Sequence, residues 1–242
     1  MNPVLAVDGD IIAYRTAAVC EEHFEGSCRD IIKETLVQIA GDTGISNMRI
    51  YLSGPNNFRK FIAKTMTYKG NRDTIVRPTH LDYCKAHLME AYNAIFVNGY
   101  EADDCIATDM SENGAIHCGV DKDIYQVPGR HFNYVDKKWR EITPEEAKVI
   151  FYRQVLMGDN SDNVPGLPGV GVKRASDAIQ SADTAFMDAL NTYKEVCAKK
   201  LPDTDAEAYF VEQYGLIAMH RCVALDYQNL TLVKPWGLGI RR

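Results

Sequence analysis

The chain has 242 residues, of which 46% are apolar and 25% are charged, and its formal net charge is −6. This length and composition predict one large globular domain, or one domain with a small appendage. The sequence has no run of about 18 apolar residues, and its N-terminus lacks the basic start and the uninterrupted apolar stretch of a signal peptide, so we expect a soluble intracellular protein that does not contact a membrane.

The acidic net charge is unusual for a protein that binds nucleic acid, since such proteins carry a basic face. However, acids that are gathered in one metal-loaded cleft leave the remaining surface free to be basic, because two divalent ions offset about four negative charges. The seven cysteines are spread along the chain without a C-x-x-C pair. This spacing argues against a disulfide framework and a structural zinc site, and predicts reduced thiols in the core.

Short apolar runs that end in a polar residue or a glycine predict buried strands. In chain order they are PVLAVDG, NMRIYLSG, NAIFVNG, GAIHCGV and the weaker HFNYVD. Helical patterns lie between these runs at residues 27–40, 80–93 and 101–112. The alternation of strands and helices predicts an α/β fold with a mostly parallel, doubly wound sheet.

The strand-like runs stop at residue 142, and a helical region begins with TPEEAKVIFYRQVLMG. Thr143 and Glu146 predict a capping box, and Pro144 suits the first helical turn. We therefore predict an α/β core over residues 1–142 and a helical subdomain over residues 143–242, including a helical C-terminal tail.

Acidic residues follow three of the predicted strands. They are Asp8 and Asp10 after the first strand, Glu101, Asp103 and Asp104 after the third, and Asp121 and Asp123 after the fourth. Because ligands of a parallel sheet bind outside the carboxyl ends of its strands, we expect these carboxylates to converge at one edge. Their spacing predicts that Glu101 and Asp104 share a helix face. The alternative for this group is a helix start whose acids only favour the helix dipole.

A further acidic group lies in MGDNSDNVPGLPGVGVKRA, residues 157–175. Asp159 and Asp162 precede a loop that is too rich in Gly and Pro to be helical. Loop glycines followed by a lysine suggest backbone amides and an ammonium group that face a phosphate. These residues are Gly166, Gly169, Gly171 and Lys173. The alternative is a plain helix-turn-helix hairpin with its turn glycines.

Carboxylates without His or Cys select Mg²⁺ or Mn²⁺ over zinc. The candidate ligands are too many for one Mg²⁺, which keeps several waters. Two metals about 4 Å apart would use them, and this arrangement supports in-line hydrolysis of a phosphodiester. The candidate metal ligands are Asp8, Glu101, Asp103, Asp104, Asp121, Asp123, Asp159 and Asp162.

The segment TYKGNRDTIVR, residues 67–77, supplies the positive charge that a phosphate substrate requires. Lys69 and Arg72 are three residues apart and can offset phosphate charge together with Arg77, while Tyr68 can stack on a base. The alternative for this segment is a solvated loop.

Taken in order, YKGNR, GYEADD, GVDKDIYQV and LMGDNSDNVPGLPGVGVKRA resemble the flap endonuclease and 5′→3′ exonuclease family. This family includes the N-terminal nuclease domain of bacterial DNA polymerase I and stand-alone phage enzymes. The resemblance covers residues 3–180. It implies a PIN-like fold and a helix-hairpin-helix region at residues 143–182 that binds K⁺ and grips the duplex backbone without reading its sequence.

The same resemblance implies roles for the candidate residues. Asp8, Glu101, Asp103 and Asp104 would mainly hold the first metal, and Asp121, Asp123, Asp159 and Asp162 the second. Lys69 and Arg72 would contact the scissile phosphate. The implied partner is DNA with a 5′ end, a nick or a flap, in the cytoplasm of a bacterium or a phage-infected host cell. An RNA/DNA hybrid is a further candidate substrate, and a separate DNA polymerase or a single-strand binding protein is a further candidate partner.

The chain departs from the family pattern in two places. Ser53 stands where many relatives carry an Asp at the end of the second strand, which implies a weaker first metal site. The stretch from Tyr68 to Glu101 is shorter than in phage members with a long helical arch, which leaves threading of a 5′ end open.

Three other functions fit parts of the sequence. VDGD and GDNSD resemble elements of haloacid-dehalogenase-type phosphatases, in which Asp8 would be the nucleophile and Asp10 the acid/base. That family requires a strand before the later acids, whereas the pattern before GDNSD is helical. A catalytically inactive DNA-binding relative and a ribonuclease on the same scaffold are the remaining alternatives.

Overall fold

The computed structural model describes residues 3–22, 24–72, 74–220 and 222. Its sheet has the strand order β3-β2-β1-β4-β5-β6. The strands β1 to β5 run parallel, and β6 pairs antiparallel with β5. The strands are β1 Leu5–Asp8, β2 Met48–Ser53, β3 Ile95–Val97, β4 Ile116–Cys118, β5 Gly129–Asn133 and β6 Lys138–Ile142. The predicted α/β fold with a mostly parallel sheet is confirmed.

Helices cover both the sheet region and the second half of the chain. They are α1 Gly9–Val19, α2 Gly26–Thr43, α3 Arg59–Ile62, α4 Leu81–Tyr92, α5 Ala102–Asn113, α6 Pro144–Met157, α7 Val172–Ala178, α8 Ala185–Lys200 and α9 Ala206–Ile217. Short 3-10 turns lie at Gly70–Arg72 and Asp123–Gln126. None of these helices combines the length and the apolar character that a bilayer span requires.

Helices α1 and α3 and strand β6 were missed in the sequence. Helix α1 begins directly after the last residue of β1, so no turn residue separates the two. Strand β6 is an edge strand with four exposed residues in its KWREI sequence, so it lacks the apolar run that marks a buried strand. The predicted helical tail extends to residue 242, and its residues 223–242 lie outside the described residues.

The capping box predicted at the start of α6 is present. Glu146 N donates to Thr143 Oγ1 over 3.1 Å, and Thr143 N donates to Glu146 Oε2 over 2.9 Å. These bonds satisfy two backbone donors that a helix start leaves free. They fix the point at which the chain leaves the sheet and enters the helical half.

The hydrophobic core has separate clusters on the sheet and in the helical half. Two clusters pack on the sheet, and the third joins α6, α7, α8 and α9 with Tyr68 from the first half. All seven cysteines are free thiols, and six of them are buried. The boundary at residue 142 stays a prediction, because Tyr68 ties the two halves together.

The strand order reverses between β1 and β4, which places a crevice at the carboxyl ends of these two strands. β1 is fully buried, and its last residue is Asp8. Asp8 also caps α1, since Ile11 N donates to its Oδ1 over 3.1 Å. The fold therefore holds the first predicted acid at the topological switch point.

Candidate active site

A cavity of about 860 Å³ lies outside the carboxyl ends of β1, β2, β3 and β4. It brings together residues from every acidic group in the sequence and from the basic segment 67–77. The predicted site residues that line it are Asp8, Glu101, Asp103, Asp121, Asp123, Asp159, Asp162, Tyr68, Lys69, Arg72 and Arg77. Asp104, the loop glycines and Lys173 are not part of this lining.

The acids at the ends of β1 and β3 form the more deeply buried part of the cavity. Burial, together with the charges of Asp10 and Asp121, raises the pKa of Asp8 to about 7. Burial and the charges of Asp8 and Asp121 also raise the pKa of Asp103 well above its ordinary value. One carboxyl oxygen of Asp103 is buried and accepts no hydrogen bond. Such a group needs a proton or a cation beside it.

A second acidic group joins the end of β4 to the loop after α6. Burial and the charges of Asp121 and Asp159 raise the pKa of Asp123 to about 7. Gln154 of α6 donates from Nε2 to Asp123 Oδ1 over 2.7 Å. Burial also raises the pKa of Asp162, although Lys69 and Tyr68 act against this shift. The negative charge of Asp121 thus acts on both acidic groups, so this residue lies between them.

The chain turns sharply after β4. Asp121 Oδ1 accepts a hydrogen bond from Asp123 N over 2.9 Å, and a 3-10 turn begins at Asp123.

Asp159 and Asp162 follow helix α6, not a strand. The phosphatase alternative required a strand at that place, so the fold contradicts it.

The structure contradicts the prediction that Asp104 is a metal ligand. Its side chain is fully buried, and each of its oxygens accepts two hydrogen bonds. Arg59 donates to Oδ2 over 2.7 Å and to Oδ1 over 2.8 Å, while Glu101 N donates to Oδ2 and His220 N to Oδ1. Although burial opposes it, the Arg59 guanidinium holds the pKa of Asp104 below its ordinary value. A carboxylate with every acceptor position used has none left for a metal.

Arg59 is the principal residue that sequence reasoning missed. It is 2% exposed and donates from Nε to Leu216 O over 3.0 Å and from Nη2 to Ala218 O over 2.8 Å. Its Nη1 also lies 3.4 Å from Glu101 Oε2. Arg59 therefore links the start of α5 to the end of α9. A lone Arg in the segment NNFRK gives no sign of this role, because both partners are distant in the sequence.

Tyr68 also differs from its prediction. It is 2% exposed, so it cannot stack on a base. Its hydroxyl lies 2.9 Å from Glu101 Oε2 and 2.6 Å from Asp162 Oδ2. A phenol has one proton to donate, so it can donate to only one of these carboxylates at a time. Tyr68 therefore holds the two carboxylates near one another from inside the core.

The basic segment docks on the loop after α6 through both backbone and side chains. Lys69 N donates to Asp162 O over 2.8 Å, and Arg72 Nε donates to Ser161 O over 3.0 Å. Asn71 and Asn163 add side-chain bonds across the same junction, each of 2.8 Å. Two segments that are distant in the sequence thereby form one wall of the cavity.

The cations of this wall are paired with acids of the cavity. Lys69 Nζ forms a short ion pair with Glu101 and lies 3.5 Å from Asp162 Oδ2. Arg72 Nη2 lies 2.6 Å from Asp162 Oδ1. Arg77 is exposed at the rim. Lys69 and Arg72 therefore face the place where the acids converge.

The loop between α6 and α7 offers fewer groups to a ligand than predicted. Gly166 is buried, its N donates to Gln213 Oε1 over 3.0 Å, and its O accepts from Tyr209 over 2.6 Å. A Cβ at Gly166 would lie 2.3 Å from Gly158 N, so the glycine serves the turn and not a phosphate. Gly169, Gly171 and Lys173 are exposed and stay candidates for duplex contact.

The donor set of the cavity suits a hard divalent cation. The acids supply only oxygen ligands. The buried oxygen of Asp103 accepts no hydrogen bond, so a cation beside it would compensate its burial. Within the described ranges, no three His, Cys, Asp or Glu side chains already stand close enough together to hold a metal ion. Carboxylates shift one another's pKa over several ångströms, and like charges keep them apart when no cation lies between them.

We expect the metal-free protein to lose stability as the pH rises from about 4 to about 7. Asp8 and Asp123 have ordinary pKa values of 3.8 and folded values of about 7. Between these values the unfolded chain has released protons that the folded chain retains, so deprotonation favours unfolding. Below this window Asp8 and Asp123 are protonated in both the folded and the unfolded state, and above it they are ionised in both. Outside the window these two groups therefore no longer make stability depend on pH.

Thermal unfolding midpoints across this pH window, measured in EDTA and in Mg²⁺, check this expectation. Bound Mg²⁺ should remove most of the loss near neutral pH, because it replaces the missing protons. The Asp123→Asn variant is the control and should show a shallower slope in EDTA. Equal slopes with and without Mg²⁺ would contradict a cation site in this cavity.

The chain is similar in sequence to known nucleases and DNA polymerases. No protein-family model matches the chain. The chain is 28% identical over 199 residues to a 5′-3′ exonuclease of Buchnera aphidicola, a match that covers 72% of the chain and 68% of the relative. It is 34% identical over 133 residues to DNA polymerase I of Treponema pallidum, a match that covers 43% of the chain but only 13% of the polymerase.

Among solved structures, the chain resembles the flap endonuclease of bacteriophage T5 in a pseudo-enzyme-product complex with DNA and metal ions. The TM-score is 0.61 at 18% identity, and the match covers 90% of the chain and 86% of the T5 protein. At this identity the likeness shows the fold.

Proposed function

Because the chain belongs to the flap endonuclease and 5′-3′ exonuclease family, we propose that it is a metal-dependent, structure-selective 5′-nuclease. Its substrate would be a DNA phosphodiester near a 5′ end, a nick or a flap. The observation that carries this proposal is the cavity itself, in which acids from three strand ends and the loop after α6 face Lys69 and Arg72.

The acids divide into two sets that suit two cations. Asp8, Glu101 and Asp103 would hold one, and Asp123, Asp159 and Asp162 the other, with Asp121 between them. When bound, two divalent cations, Mg²⁺ or Mn²⁺, would lower the pKa of the attacking water and offset charge on the leaving oxygen. The carboxylate side chains would hold the two cations in fixed positions and so restrict the geometry of the reaction.

Lys69 and Arg72 would bind the scissile phosphate. Both basic side chains pair with carboxylates that are candidate metal ligands. Each side chain must therefore exchange its carboxylate partner for the phosphate. Tyr68 keeps Glu101 and Asp162 in position during this exchange, because its hydroxyl is buried beneath both. The phosphate then takes the place of the carboxylate beside the basic side chain. One anion is exchanged for another, so the local charge balance is preserved.

The α6-α7 loop is the proposed duplex contact. Its exposed residues Gly169, Gly171 and Lys173 would bind backbone phosphates, so binding would not depend on base sequence. The K⁺ ion in this loop, an RNA/DNA hybrid substrate and a partner polymerase or single-strand binding protein stay predictions.

The test of the proposed function is cleavage of 5′-labelled single-stranded, blunt duplex, nicked and flap DNA. We expect products from substrates with a 5′ end at a junction, and no product in EDTA. Mg²⁺ and Mn²⁺ should restore cleavage and Ca²⁺ should not, since Ca²⁺ takes longer and more flexible ligand distances. Cleavage that persists in EDTA would exclude the proposed mechanism.

Replacing Lys173 by Ala is expected to weaken duplex binding about equally for all sequences and to make it less dependent on salt. The reason is the loss of one phosphate contact, which should lower the slope of log affinity against log salt by about 1. Fluorescence anisotropy with two unrelated duplexes over a salt series measures both effects. Lys199→Ala, an exposed lysine near the end of α8, is the matched control. A loss that depends on base sequence would contradict the assignment.

A further inference from the structure

The carboxyl end of β2 lacks an acid although it lies in the middle of the acidic edge. β2 stands between β3 and β1 in the sheet. On one side β1 ends in Asp8, and on the other side β3 is followed by Glu101 and Asp103, whereas residues 53–57 read SGPNN. The carboxyl end of β2 therefore contributes no acidic residue of its own.

The carboxylate of Asp10 lies at this position. Ser53 N donates to Asp10 Oδ2 over 2.8 Å, so Asp10 is fixed at the last residue of β2. Ser53 Oγ in turn accepts a hydrogen bond from Ala102 N over 3.1 Å. Ala102 stands between Glu101 and Asp103, so Ser53 connects Asp10 to the start of α5. Asp10 and Ser53 both line the cavity.

The turn from β1 into α1 places Asp10 there. Gly9 lies so close to β2 that a Cβ at this position would be 2.7 Å from Tyr51 O. The first turn of α1 therefore rests against the end of β2, and the side chain that follows Gly9 reaches Ser53. Lys85 of α4 forms an ion pair with the other oxygen, Asp10 Oδ1, and both side chains are 25% exposed. Asp10 thus lines the cavity, and its buried oxygen Oδ1 already attracts the cation of Lys85.

We propose that Asp10 is a further residue of the metal site and supplies, at the end of β2, the negative charge that Ser53 does not carry. Lys85 is its counter-ion and competes with a divalent cation for the same carboxylate. This inference rests on the proposed function, because it adds a residue to the same cavity. It assigns Asp10 to cation binding and not to proton transfer.

The test is calorimetric titration of the full chain with Mn²⁺ in the absence of DNA. Asp10→Asn should weaken Mn²⁺ binding about tenfold, the size that a lost partner beside a metal site typically has. Lys85→Met should strengthen binding, because it removes the competing cation. Ser53→Asp introduced into the Asp10→Asn protein should restore the lost affinity, since it returns a carboxylate to the same place.

Asp30→Asn, an exposed aspartate on α2 outside the cavity, is the matched control and should bind Mn²⁺ like the unchanged protein. Thermal unfolding in EDTA shows whether each variant is folded. If Asp10→Asn binds normally while Asp8→Asn binds weakly, the Asp10 proposal is wrong and the proposed metal site stands. If both bind normally, the proposed function itself fails. A folded Asp10→Asn protein that Ser53→Asp does not rescue would also overturn the role of Asp10.

Discussion

Replacement of Asp121 by Asn is expected to abolish most of the nuclease activity and, at the same time, to stabilise the metal-free protein. The charge of Asp121 contributes to the raised pKa of Asp8, Asp103 and Asp123, behind burial in each case. It is therefore close to both sets of acids. Losing it should cost several kcal/mol of transition-state stabilisation by the two cations, or about a thousandfold in rate.

The stabilising effect also comes from the charge of Asp121, which is unfavourable for the fold when no cation is bound. Without a cation, the carboxylates repel one another, and a neutral Asn at position 121 removes one of the repelling charges. The unfolding midpoint in EDTA at neutral pH should therefore rise, whereas the rise on adding Mg²⁺ should shrink. This pair of results separates a functional role from a structural one, because a residue that only supports the fold would lower stability when it is replaced.

Cleavage of a 5′-labelled flap substrate and thermal unfolding with and without Mg²⁺ measure the two effects. Asp30→Asn removes one negative charge from an exposed helix position and should change neither. An Asp121→Asn protein that cleaves at the unchanged rate would contradict the central position of this carboxylate. Loss of activity together with loss of stability in EDTA would indicate damage to the fold instead.

Replacement of Arg59 by Met is expected to destabilise the protein by about 3 to 5 kcal/mol, the usual cost of removing one partner of a buried ion pair. Asp104 would remain fully buried with its charge uncompensated. The carbonyls of Leu216 and Ala218 would also lose their donor. The aliphatic part of the Arg59 side chain is largely retained in Met, so the loss reports the charge and hydrogen bonds rather than a cavity.

Urea unfolding of Arg59→Met measures this loss. The Lys194→Met variant breaks the ion pair with Glu207, in which both side chains are about half exposed or more, and should change stability by less than about 1 kcal/mol. Adding Asp104→Leu to Arg59→Met should recover part of the stability, since it removes the unpaired charge. If Arg59→Met costs no more than Lys194→Met, the link between α5 and the end of α9 does not stabilise the fold.

The sequence by itself indicates where the chemistry lies. Asp8 ends β1, Asp103 comes after β3, and Asp121 and Asp123 come after β4. The carboxyl ends of these parallel strands meet at one edge, although β3 is an exposed edge strand and not the buried strand that its apolar run predicted, so the convergence follows from local patterns and one rule of sheet topology. The α6 capping box is equally local, because its two residues are three apart. In both cases the determining interactions lie within one element or between adjacent strands.

Side-chain partners that come from distant segments were decided only by the tertiary structure. Asp104 is adjacent to Asp103 in the sequence, yet the helix turns it toward Arg59 and away from the cavity. Tyr68 lies beside Lys69, yet it is buried because α6 and its loop pack over it. Gly166 is held by Gln213 and Tyr209 of α9.

These three differences have one physical reason. A buried polar group must be satisfied by whatever donor or acceptor packing brings beside it, and that partner is not encoded near it in the chain. The sequence determined which residues carry charge and at which end of the sheet they stand. Only packing determined which of those charges face the cavity and which are neutralised inside the protein.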